Sequence, residues 1–263
     1  MMKKYILWVA LALVGFNTSS FAQTKRVKDN TVTLYITRHG KTILNTVDRV
    51  QGWSDSFLTP AGVEVAEYLG RGLKKEQISF DAAYSSDLGR ARQTARIVLD
   101  TKGQAEMPIT EVPQLRETCF GSYEGEYNQR MWNDAALYLG YKSSKEVFKA
   151  LAADRSLMEK LVNSFAALET LEIGEDYATV KARGQKALRT IAETEAQNGG
   201  GNVLVVGHGM SIGIFLSDLD SQGVKPEGGH MGNAAVCKVV YKDGQFQLIS
   251  FGDMSYVEKG KEN

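Results

Sequence analysis

TVTLYITRHG, residues 31–40, is the stretch on which the fold turns. Val32, Leu34 and Ile36 alternate with Thr33, Tyr35 and Thr37, the period of a β-strand in residue types that favour one, and the strand runs straight into Arg38-His39-Gly40. A later segment is built the same way. Asn202 to Val206 is a continuous apolar run, as in a parallel strand covered on both faces, and it ends at Gly207-His208-Gly209. Ligands of open parallel sheets bind beyond the carboxyl ends of the strands, so histidines at two such ends are placed to face one pocket. The third and last histidine, His230 in Gly228-Gly229-His230, lacks such a frame and reads as a surface or rim residue.

Thr59-Pro60 opens a helix that runs to about Gly72, threonine as cap and proline in the first turn. Asp81 to Tyr84 is a short strand, followed by Ser85-Ser86-Asp87. Ala91, Thr94, Ala95 and Val98 recur at helical spacing over Gly89 to Asp100, with Arg90 off that face at the start. Residues 127–170 are helical in pattern, and Tyr177, Val180, Ala187, Leu188 and Ile191 mark a helix that ends at Gly199-Gly200-Gly201. A helix from about Met210 to Leu219 follows His208. Two strands, Ala235 to Tyr241 and Phe246 to Phe251, are joined by the turn Lys242-Asp243-Gly244. The expected fold is one α/β domain over residues 23–263: a mainly parallel sheet with helices on both faces, a helical cap insertion at 124–172 and a C-terminal hairpin.

Residues 1–22 are of another composition. Lys3 and Lys4 precede the apolar run Tyr5 to Phe16, and Ser20 and Ala22 stand three and one residues before Gln23, the pattern of a cleaved secretory leader. The apolar run is too short to span a hydrocarbon core of ~30 Å. Export to a periplasm or the exterior is therefore expected, with no stable membrane association after cleavage. Formal net charge is zero, which leaves no global field to recruit nucleic acid. The two cysteines, Cys119 and Cys237, leave one disulfide open, although Cys237 in its apolar run reads as a core thiol.

The chemistry gathers at the strand ends. Arg38 adjoins His39, and Arg90 arrives from the loop-to-helix junction after the Asp81–Tyr84 strand. Guanidinium forks match phosphate oxygens two at a time, and with a helix N-terminus near Gly89 they make an anion site. A histidine inside such a site can attack phosphorus. No cofactor is implied. No histidine pair has metal-ligand spacing, and pocket arginines would repel a cation.

The blocks Thr37-Arg38-His39-Gly40-Lys41-Thr42 with Asn45, Gln51-Gly52-Trp53-Ser54-Asp55, Leu58-Thr59-Pro60-Ala61-Gly62, Ser85 to Ala95, Leu115-Arg116-Glu117 with Phe120-Gly121-Ser122-Tyr123-Glu124-Gly125, and Gly207-His208-Gly209 resemble, in order, the histidine phosphatase superfamily in its phosphoglycerate-mutase-like branch. The resemblance implies that His39 becomes phosphohistidine, that Arg38, Arg90 and His208 bind the phosphoryl oxygens, and that Asn45 and Gln51 add polar contacts. It makes Glu117 the acid for the leaving oxygen and the base for water; an ion pair of Glu117 with Arg116 or Arg90 is the plainer alternative. Glu175 matches a further family segment, or merely serves the N-terminus of the next helix. Lys41 departs from the family's usual acid or glutamine and reads as solvent-facing. A small phosphorylated substrate is the expected partner. The Glu117 block and export favour a phosphomonoesterase over a mutase; a phosphate-binding module without turnover is the rival from another class. Tyr127, Trp132 and Tyr138 of the insertion line a rim or pack the cap, core packing being the expected fate of most.

Overall fold

The computed structural model describes residues 30–220 and 231–262. The leader and His230 lie outside the described residues. In chain order the elements are β1 (Val32–Arg38), α1 (Ile43–Thr46), α2 (Pro60–Lys75), β2 (Ala82–Ser85), α3 (Gly89–Lys102), β3 (Thr110–Glu111), α4 (Asn128–Tyr138), α5 (Ser144–Ala153), α6 (Leu157–Leu168), α7 (Tyr177–Gln197), β4 (Gly201–Gly207), α8 (Gly209–Leu216), β5 (Val236–Lys242), β6 (Gln245–Asp253) and α9 (Ser255–Lys261). Two single 3₁₀ turns, Pro113–Leu115 and Gly121–Tyr123, flank the Glu117 segment.

The six strands form one sheet in the order β3-β2-β4-β1-β5-β6. β3, β2, β4 and β1 run parallel, and the β5–β6 hairpin adds an antiparallel edge to β1. Each face is covered. Val32, Leu34, Ile36, Val203 and Val205 pack with Val180, Leu188, Ile191 and Phe215 of α7 and α8. Tyr35, Leu204 and Val206 pack with Leu69, Leu73, Ala95, Val98 and Val257 of α2, α3 and α9 on the other face. The alternation in β1 would leave one face polar, but Tyr35 and Thr37 are buried as well. The Thr37 hydroxyl meets its hydrogen-bond need by donating to the Ala235 carbonyl at 2.9 Å, which allows a threonine in a central strand.

α4, α5 and α6 gather around a third cluster that includes Val50, Phe120, Tyr123, Met131, Leu161 and Phe165. Core packing holds for Trp132, whose ring meets Phe148 and Phe165 at 5.0 Å. It does not hold for Tyr127 and Tyr138, which are more than half exposed; the Arg49 guanidinium lies over the Tyr127 ring. Cys119 and Cys237 are both buried, free thiols, so no disulfide joins them. Cys237 is the core thiol its apolar run suggests, with burial pushing its pKa up to about 12. α9, which closes α2 against the sheet, carries too short an apolar pattern to be read from sequence.

Candidate active site

β1 and β4 are adjacent and parallel, with Arg38 opposite Gly207, so His39 and His208 leave the sheet side by side. Their ring centroids are 5.2 Å apart. The turn below them is tight: a Cβ on Gly40 would stand 2.3 Å from the Gly62 carbonyl oxygen, so this approach to the start of α2 requires glycine.

Arg90, at the start of α3, is 1% exposed and extends between the two rings. Its Nε–H is shared between His39 Nε2 at 3.3 Å and His208 Nδ1 at 3.1 Å. Both nitrogens therefore act as acceptors, and the tautomers follow. His39 Nδ1–H donates to the Gly40 carbonyl at 2.7 Å, which places the ring's one lone pair on Nε2, facing Arg90. His208 carries its proton on Nε2, a buried donor that makes no hydrogen bond among the described residues. A phosphoryl oxygen is the acceptor such a group suits. Arg38 Nη1 donates to the Met231 carbonyl at 2.6 Å. The helix N-terminus expected to bind an anion near Gly89 is instead occupied by Asp55, whose Oδ2 accepts from Gly89 N–H at 2.5 Å and whose Oδ1 pairs with Arg90 Nη1 at 3.0 Å. Of Arg90 only the Nε edge faces the two histidines, its Nη groups being taken by the Gln51, Gly52 and Ser54 carbonyls and Asp55.

Glu117 is buried and forms no ion pair with either arginine: Arg116 pairs with Asp87, and Arg90 with Asp55. Its carboxylate sits at the start of α8. Oε1 accepts from Thr118 and Ser211 N–H, and Oε2 from Met210 N–H at 3.0 Å. Oε2 thus keeps a second lone pair able to carry a proton. Asn45 and Gln51 are drawn into the supporting loop. Asn45 Oδ1 accepts from Thr42 N–H in a capping box on α1, and Gln51 Oε1 accepts from the Thr42 hydroxyl at 2.6 Å. Lys41 is exposed, as the solvent-facing reading has it. Glu175 does not cap α7, a task that falls to Asp176; it pairs with Arg183. Glu124, assigned no role from sequence, collects the N–H groups of Gly52, Trp53, Ser54 and Phe120 on one carboxylate and so shapes the loop beside Arg90. Such convergence of distant backbone donors leaves no trace in local spacing.

Burial first, then the Arg90 and Arg38 charges, hold the His39 imidazole well below the ordinary histidine value of 6.5, against the Gly40 hydrogen bond, which raises it. Burial and Arg90 lower His208 likewise. Both rings are neutral in the fold at pH values where unfolded histidines bind protons, so this part of the stability is present above about pH 6.5 and lost as the pH falls below it. Well below pH 6.5 each ring contributes about 1.4 kcal/mol per pH unit, so the two together approach a limiting slope of ~2.8 kcal/mol per unit. Urea unfolding in phosphate-free buffer between about pH 7.5 and 5 measures it, with the slope in that window halved in His39→Asn. A stability flat across that window would contradict neutral rings.

The family model of the histidine phosphatase superfamily (branch 1) matches residues 34–254. The probable phosphoglycerate mutase GpmB of Yersinia pestis (strain Pestoides F) is 30% identical over 186 residues, 71% of this chain and 74% of that protein. The structure of a phosphoglycerate mutase from Bacillus anthracis str. Sterne superimposes with a TM-score of 0.81 at 43% identity, over 89% of this chain and 99% of that one. Bacillus stearothermophilus YhfR does so at 0.64 with 28% identity, over 86% and 99%. The chain belongs to the histidine phosphatase superfamily, branch 1.

Proposed function

We propose that the protein is an exported phosphomonoesterase that hydrolyses small phosphate esters through a phosphohistidine on His39. The observation that carries the reading is the pair of buried neutral imidazoles sharing the Arg90 Nε–H, with the Glu117 carboxylate at the α8 N-terminus that follows His208. As the Arg90 Nε–H turns from His39 to a phosphoryl oxygen, His39 Nε2 attacks phosphorus, the P–O ester bond breaks, and the leaving oxygen takes a proton from Glu117. Water then attacks the phosphohistidine, giving its proton to Glu117, and phosphate departs with His39 restored. Arg38, Arg90 and the His208 Nε2–H stabilise the equatorial oxygens throughout. Metal-assisted hydrolysis is disfavoured by the two guanidinium charges, so turnover should survive a chelator.

The mutase names of the Yersinia and Bacillus anthracis relatives support a second reading, in which the phosphoryl group returns to a phosphoglycerate instead of passing to water. Residues 23–263 are to be assayed with a panel of phosphate esters and with 3-phosphoglycerate, chelator present. Phosphate release outpacing isomerisation is the expected result. Faster isomerisation would favour the mutase, and neither product nor a trapped phosphoenzyme would leave a phosphate-binding module. Export rests on the leader pattern alone; a mature protein starting at Gln23 in the exported fraction is its expected sign.

A further inference from the structure

Glu117 lies in a segment with no regular structure between two 3₁₀ turns, so no strand or helix supplies N–H donors to the carbonyls there. One side chain donates to three carbonyls of this segment and the turn before it. Arg183 Nη1 donates to the Gln114 carbonyl at 2.7 Å and the Arg116 carbonyl at 2.8 Å, and its Nη2 donates to the Glu117 carbonyl at 2.8 Å. The indole Nε1–H of Trp53 shares the last of these at 3.0 Å. The guanidinium is itself held: Glu175 Oε1 and Oε2 accept from its Nε and Nη2 at 2.7 and 2.8 Å, and Glu175 Oε2 also accepts from Cys119 N–H. The two side chains are 15% and 12% exposed.

Arg183 sits in the second turn of the 21-residue α7, and its neighbour Gly184 packs on Phe215 of α8 so closely that a Cβ there would stand 1.9 Å from the ring. α8 in turn supplies the Met210 and Ser211 N–H groups to the Glu117 carboxylate. The packed pair α7–α8 therefore grips Glu117 twice, by its backbone through Arg183 and by its carboxylate through the start of α8.

We infer that Arg183, oriented by Glu175, is a positioning residue for the Glu117 acid; this rests on the general-acid reading of Glu117 given above. A fork that spans three carbonyls fixes where the segment lies, and a displacement of ~1 Å in a catalytic group costs about 10²-fold in rate. The loss has a signature that mere destabilisation lacks. An ester whose alcohol leaves readily as an anion needs little help from an acid, whereas an alkyl ester needs much. The test measures kcat/KM across nitrophenyl, phenyl and alkyl phosphates for the wild type, Glu117→Gln, Arg183→Met and Arg183→Lys, with thermal melts confirming folding. In Arg183→Met, kcat/KM for alkyl phosphates should fall about 10²-fold, with little change for nitrophenyl phosphate, parallel to Glu117→Gln. Arg183→Lys, with the charge but not the fork, should behave like Arg183→Met. Equal losses across all leaving groups, or restoration by lysine, would overturn the inference. Should Arg183→Met fail to fold, Glu175→Gln, which releases the guanidinium from its orienting carboxylate, must show the same dependence or the inference falls. No leaving-group dependence in Glu117→Gln itself would instead overturn the general-acid reading on which the inference rests.

Discussion

His39→Ala is expected to abolish turnover, with a loss of about 10⁴-fold or more, and to leave no phosphohistidine to trap. The size follows from there being no replacement in reach among the described residues. His208 is the other described imidazole in the pocket, but the nitrogen it leaves without a partner, Nε2, carries the proton, so it presents a donor where a nucleophile is needed. Phosphate binding should survive, since Arg38, Arg90 and His208 remain and only a neutral ring has been removed. The variant therefore separates the two roles of the site: inhibition constants for phosphate or vanadate should move less than about tenfold while kcat disappears. Rapid quench with a labelled ester, in acid and in alkali, is the direct measurement. A phosphoenzyme still formed by His39→Ala would transfer the nucleophile's role to another residue.

How this pocket arises was legible in part. The strand-to-histidine junctions at His39 and His208 can be read because a parallel sheet sends every strand end to one side, so two local patterns determine a shared location. Arg90 can be placed near them for the same reason, from its position just after a strand. What it does there cannot. Its burial depends on the loop 51–55 folding over it and accepting its Nη groups through the Gly52 and Ser54 carbonyls and Asp55. The expectation that the α3 N-terminus would be open to an anion fails for the same cause: the charge that satisfies it comes from residue 55, far away in sequence. For Glu117 the plainer alternative, an ion pair with Arg116 or Arg90, is not realised: Arg116 turns to Asp87, Arg90 to Asp55, and the carboxylate to α8. Acidic side chains that collect backbone N–H groups, such as Glu124 and Glu175, have no spacing rule, because their partners are brought together only by the finished fold.

Arg90→Lys is expected to lower kcat/KM by about 10³-fold, although it keeps the charge. Arg90 acts in three directions at once. Nε is divided between the imidazoles, Nη1 reaches the Ser54 carbonyl and Asp55, and Nη2 reaches the Gly52 carbonyl at 2.6 Å. A lysine has three donors on one nitrogen at the end of a flexible stem, and it cannot face both the histidines and the loop. If the ammonium turns to Asp55, the two lone pairs lose the N–H that lies between them, and the bound phosphate loses a guanidinium; if it turns inward, the Gly52 and Ser54 carbonyls lose their donor. Asp55 is one-third exposed at its side chain, so water relieves part of the broken pair, and the stability cost should be about 2 kcal/mol rather than that of a fully buried pair. The comparison with Arg90→Met separates charge from geometry. Removing the charge should let the His39 and His208 pKa values rise, because Arg90 follows burial as the largest influence lowering each; lysine should leave them low while activity is still lost. NMR titration of the two rings beside kcat/KM measures both. A lysine variant within about tenfold of wild type would mean that the site needs a cation here and not a fork.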